Sequence, residues 1–189
     1  MGTRHLVGVL LDGTFKVAQY GQSDGYPGGA GIDVLRFCTS VNMRDFAKAV
    51  RKVRFTTETD EECIEGRWSA LNTKHGVDYD AFYAGPYQAL SSYLGSAVLP
   101  LLMAGEVTFL YNNSKFGAEG SQCEWAWIIN LDTMQLECYN GLHEETPQRG
   151  YWIGQRDPTD RYGAVHLMRI FPLDNLPSNT DFLNSLAIQ

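Results

Sequence analysis

The sequence predicts an α+β fold in a single domain spanning residues 1–189, with antiparallel sheet built from N- and C-terminal hairpins and helices packed on it. Three observations carry that expectation. An apolar run at residues 6–11 meets Asp12-Gly13 and a second strand-like run at residues 15–20. The middle of the chain has helical periodicity. Residues 123–131 then alternate as a strand does and turn at Asp132-Thr133 into residues 135–139.

The elements follow in order. Residues 6–11 form a continuous apolar run, as expected of a strand buried on both faces. Asp12-Gly13 predicts a type I′ hairpin turn, which needs positive φ at both positions. The loop at residues 21–31 carries five glycines and Pro27. Three short helices follow. One covers residues 32–37 with Asp33 in its first turn. A second is capped by Asn42 and presents Phe46, Ala49, Val50 and Val53 on one face. A third is capped by Thr59 or Asp60, with Ile64, Trp68 and Leu71 at helical spacing. Tyr79, Phe82 and Tyr83 fall in a connection. Pro86 opens a longer helix with an apolar stripe from Leu90 to Leu101, kinked by Pro100 and stopped by Gly105.

The last third reads as strands at 107–111, 123–131, 135–139 and 162–171. Trp125 and Trp127 share a face with Cys123, Ile129 and Leu131, which marks them as core, while Glu124 lies opposite, toward a cleft. The Gly- and Pro-containing stretch at 140–161 reads as the most mobile loop. Ser178, with Asp181 three residues on, caps a last helix holding Phe182, Leu183 and Leu186.

A globular chain of 189 residues, 44% hydrophobic and 20% charged, buries enough surface to need no disulfide or metal staple. Its net charge of −7 argues against duplex nucleic acid or an anionic membrane as the main partner. Arg51, Lys52 and Arg54 read as a helix C-terminus favoured by the dipole. The cysteines, Cys38, Cys63, Cys123 and Cys138, fit no zinc spacing and read as buried free thiols, although Cys123 and Cys138 flank a hairpin. With no signal peptide, they point to the cytoplasm. The histidines share no ligand spacing, so neither a metal nor a cofactor is expected.

The candidate site is the first hairpin and the loop after it. Glycines in that loop offer backbone N–H groups close to a helix N-terminus, a geometry suited to phosphate or carboxylate. Arg4, beside His5, supplies a cation. Gln19, Gln22 and Asp24 would read polar edges, and Tyr20 and Tyr26 would stack. The sequence therefore points to binding, without turnover, of a small anionic and nucleotide-like ligand, by a monomer or a homo-oligomer.

Two other classes compete. One is a hydrolase acting on an amide or phosphodiester, by Thr3 or an activated water. Its analogy is to N-terminal-nucleophile layering, with Thr3 exposed by removal of the residues before it. The other is an inhibitor that binds a host protein through Tyr- and Trp-rich surface.

A set of motifs adds a resemblance. Met-Gly-Thr-Arg at the start, Asp12-Gly13, the run from Val17 through Gln22, Asp24-Gly25-Tyr26-Pro27 with Gly29 and Gly31, and later Cys123-Glu124-Trp125 with Asn130-Leu131-Asp132 resemble a family of small uncharacterised proteins, often phage-encoded. Ser23 stands where that pattern carries an aromatic residue, usually Trp. The resemblance implies a phage context and a host-cell cytoplasm. Small phage accessory proteins often counter host defences, some by sequestering or cleaving nucleotide signals.

Overall fold

The structure is a computed structural model describing residues 2–156, 158–159 and 161–187. In chain order its strands are β1 (His5–Leu11), β2 (Thr14–Gly21), β3 (Arg54–Phe55), β4 (Asn72–Thr73), β5 (Gly76–Val77), β6 (Phe109–Leu110), β7 (Trp125–Asn130), β8 (Gln135–Asn140) and β9 (His166–Pro172). Its helices are α1 (Ile32–Ser40), α2 (Met43–Val50), α3 (Glu58–Leu71), α4 (Tyr79–Phe82), α5 (Val98–Ala104) and α6 (Asn179–Leu186). Short 3-10 turns cover Gly85–Leu90, Gly95–Ala97 and Ser114–Ala118, and a π-type turn over Pro27–Gly31 runs straight into α1.

Five strands form one sheet in the order β2-β1-β7-β8-β9. The hairpin pairs are antiparallel, but β1 and β7 run parallel. The α+β class holds, and the expectation of antiparallel sheet alone is corrected to a mixed sheet. The intervening chain is long enough to cross back over the sheet, as a parallel pair requires. β1 and β7 are also the most apolar strands, so they take the centre and are covered on both faces.

The first turn has φ of 56° at Asp12 and 74° at Gly13, as a type I′ hairpin demands. The Asp132 carboxylate, in the turn of the second hairpin, accepts the N–H groups of Asp12 (2.8 Å) and Gly13 (2.9 Å). Two turns distant in sequence are thereby clasped together. Nothing lies within 4 Å of where a Gly13 Cβ would stand, so a substitution there tests backbone strain alone. Gly13→Val is expected to lower stability by about 1–3 kcal/mol. An unchanged midpoint in urea would show that the turn adopts another conformation.

One sheet face packs Val7, Val9, Trp127 and Ile129 against Leu35, Phe46, Leu99 and Phe182 of the helices. The opposite face packs Leu6, Leu10, Ala126, Ile128 and Tyr139 against Trp152 and Val165 from irregular chain. Cys123 belongs to this second cluster rather than with the tryptophans, because it precedes β7 and escapes its alternation. Residues 140–161 carry no helix or strand beyond Asn140 among those described, yet Trp152 within them is 1% exposed. Its Nε1–H donates to the Ser114 carbonyl at 3.1 Å. Asp157 and Asp160 of that stretch lie outside the described residues.

Asn42 caps α2 and Ser178 caps α6, as expected. The cap of α3 is Thr57, with Asp60 completing a capping box, rather than Thr59 or Asp60 itself. Tyr79 and Phe82 form the short helix α4, capped by Asp78, not a plain connection. The long helix expected from Pro86 is broken into two 3-10 turns and α5. Gly95 has φ of 49°, which ends any helix there, and Pro100 needs no N–H partner in the first turn of α5. Gly105, at φ of 75°, stops α5 as expected. The strand expected at 107–111 shrinks to β6, which pairs with β3, and that expected at 162–171 begins at His166.

All four cysteines are free. Cys38, Cys123 and Cys138 are buried, but Cys63 is exposed, because α3 turns it to solvent. Cys138 lies opposite Trp127, so Cys123 and Cys138 do not face each other. No helix among the described residues is long and apolar enough to cross a membrane.

Candidate functional site at one end of the sheet

The paired positions Gly21, His5, Trp125, Asn140 and His166 form one row across the end of the sheet where β1 begins. The sequence-predicted residues collect around this row. Arg4 precedes β1 and is half-buried; its backbone N–H donates to Glu124 Oε1 at 3.2 Å and its guanidinium to Gln122 Oε1. Among the described residues Arg4 has no carboxylate in ion-pair contact. Tyr20 donates its hydroxyl to Gln22 Oε1 and packs edge-on against Phe116, with ring centroids 4.9 Å apart. Burial raises the Tyr20 pKa, which Arg4 partly offsets, so the hydroxyl stays protonated at neutral pH.

The remaining candidates divide. Gln19 is 3% exposed, and its amide donates to the carbonyls of Tyr20 (3.3 Å) and Ser91 (3.0 Å), where it ties β2 to the chain ahead of α5. Asp24 (φ of 57°) and Tyr26 (47% exposed) stand in solvent. Thr3 is half-buried, and its carbonyl accepts the Gly25 N–H at 2.9 Å. Met1, whose removal the hydrolase reading requires, lies outside the described residues.

The glycine loop works differently from the expected anion cradle. The N–H groups of Gly29 and Gly31 bond the Tyr26 carbonyl, that of Ala30 bonds the Asp24 carbonyl, and that of Ile32 bonds Pro27 and Gly29. The donors entering α1 are therefore satisfied within the loop. Close packing explains the small residues instead. A Cβ on Gly21 would stand 2.2 Å from the His5 ring, and one on Gly95 would stand 3.0 Å from His5 Nε2.

His5 follows Arg4 and opens β1. It is 2% exposed, and neither ring nitrogen has a hydrogen-bond partner. Burial pulls its pKa down from the ordinary 6.5 to about 4, against the Thr3 carbonyl and Asp24, which raise it. The ring is neutral at neutral pH, so Arg4 is the cation of the pair. Every position of β1 is buried, so the strand leaves His5 no solvent face whichever side it points to.

Tertiary structure also joins residues that the sequence left apart. His143 and His166 stack with ring centroids 4.3 Å apart. His143 Nε2 meets Asn140 Oδ1 at 3.2 Å, and burial beside His166 lowers its pKa. Among the described residues no group of three or more His, Cys, Asp or Glu could hold a metal ion.

No family model, no curated protein and no solved structure matches this chain. The chemistry of the site therefore rests on its own residues. A cleft of about 480 Å³ lined by Lys115, Glu119, Gln155 and Arg156 opens beside the 3-10 turn that carries Phe116. Gln122, which accepts from the Arg4 guanidinium, donates its backbone N–H to the Glu119 carbonyl at 2.9 Å; neither Arg4 nor Gln122 lines the cleft.

Proposed function

We propose that the protein binds a small anionic, nucleotide-like ligand at this end of the sheet, and holds it without turning it over. The observation that carries this reading is the state of Arg4. Its charge is met by the neutral amide of Gln122 rather than by a carboxylate, beside the Tyr20–Phe116 aromatic pair. A guanidinium so placed offers paired donors to phosphate or carboxylate, and the two half-buried rings offer apolar contact to a base. Lys115 on the neighbouring cleft adds a second cation. Side chains, not loop amides, do the binding. The resemblance to phage-encoded proteins favours a host nucleotide signal as the ligand, sequestered as a counter-defence.

Mass spectrometry of small molecules released from the heat-denatured protein identifies what co-purifies. Arg4→Ala is then expected to weaken a nucleoside monophosphate, followed by calorimetry, by about 1.5–3 kcal/mol. Its melting temperature is expected to change little, since the side chain is only half-buried. Parent-like affinity in Arg4→Ala moves the site elsewhere.

A further inference from the structure

A second cleft, of about 420 Å³, lies over a satellite core and shares no lining residue with the Arg4 site. Ile64 and Leu90 form its apolar floor. Its walls are aromatic: Trp68, Phe82, Tyr83 and Tyr111. Phe82 meets Trp68 at 86° and Tyr83 at 85°, with centroids 5.1 and 4.8 Å apart. In each such pair the edge of one ring covers one face of the other, and Phe82 is 4% exposed, so the ring surface left for an occupant is that of Trp68, Tyr83 and Tyr111.

The local charge is negative. Glu65 lines the cleft, and Glu61, one turn earlier on α3, is near enough to help burial raise the Tyr111 pKa. No lysine or arginine lines it. The nearest arginine in sequence, Arg67, donates to the carbonyls of Ala81 and Phe82 and lies 4.6 Å over the Tyr87 ring. Its charge fixes α4 against α3.

From the crossed aromatic walls and the Glu65 carboxylate we infer that this cleft binds a small organic cation, a quaternary or tertiary ammonium with an apolar body. Ring faces attract such a cation through their quadrupoles, and the poorly hydrated methyl groups fill the apolar floor. The carboxylate supplies long-range selection against anions. This site is opposite in charge preference to the one at Arg4, so the two are separable by probe.

Trp68 makes the test direct. It is 36% exposed, whereas Trp125, Trp127 and Trp152 are 7%, 0% and 1% exposed, so emission changes on titration report this cleft. The probes are choline and 3,3-dimethylbutanol, its uncharged carbon isostere, with benzoate as an anion. Choline is expected to give a saturable response at least about tenfold tighter than the isostere, a difference of 1.4 kcal/mol or more. Benzoate is expected to give none. Glu65→Gln, an exposed change that leaves the fold intact by circular dichroism, is expected to weaken choline several-fold and leave the isostere unchanged. Equal affinity for choline and isostere, or no saturation by either, overturns the inference. So does a Glu65→Gln variant with parent-like choline affinity.

Discussion

Trp127→Ala is expected to destabilise the protein by about 3–5 kcal/mol. Trp127 is fully buried at the centre of β7. Its ring stacks on Trp125 at 5.2 Å with planes 2° apart and leans on Phe182 of α6 at 5.9 Å. Its Nε1–H donates to the Gly25 carbonyl at 2.9 Å, which pins the glycine loop to the sheet. Truncation therefore opens a cavity between sheet and helices and strands a carbonyl in the loop. Trp127→Phe keeps most of the packing and loses the hydrogen bond, so a smaller cost of about 1–2 kcal/mol is expected. Urea unfolding of both variants separates the terms. A parent-like Trp127→Ala would mean that the ring is not core.

Acidification is expected to remove about 3 kcal/mol through His5. The folded ring titrates near 4, while the unfolded chain titrates near 6.5. Between those values the unfolded state binds a proton that the folded state refuses. Stability from this group is complete above pH 6.5 and falls as pH drops toward 4. The sign follows from burial of a base: the native state holds the neutral form. His5→Leu lacks the titrating group, so its stability should fall less over the same range, with carboxylate effects common to both proteins cancelling in the difference. Parallel losses in parent and variant would show that the ring is hydrated or partnered in solution. Loosening of Gly21 or Gly95 would have that effect, since both press on the imidazole.

The placement of the candidate residues was legible in part. Arg4, Tyr20 and Gln22 do gather at one sheet end, because residues 4, 20 and 22 flank a hairpin whose register is set by the Asp12-Gly13 turn and then shifted by a bulge between Val9 and Leu10. The role assigned to the loop glycines was not legible. Glycine permits both an exposed anion cradle and close approach of a neighbour, and composition cannot distinguish them. What stands against each glycine decides it, and here that is the His5 ring for Gly21 and the Asp24 carbonyl for Gly29. Trp68 shows the same limit. Its spacing from Ile64 and Leu71 reads as core, but α3 buries only Ile64 fully and leaves the indole at the rim of a cleft.

The sequence alone determined what is local. Asp12-Gly13 made the first turn, Asn42 and Ser178 started their helices, Gly105 stopped another, and the apolar run at 6–11 and the alternation at 123–131 marked two strands. Each is settled within a few residues by backbone sterics, by one capping bond or by the parity of a strand. Tertiary structure decided the parallel pairing of β1 with β7, the burial of His5 under distant glycines, the stacking of His143 on His166 and the aromatic cleft. Those outcomes depend on contacts between segments far apart in the chain, where the energy that chooses a partner is the shared burial of both and is written in neither segment by itself.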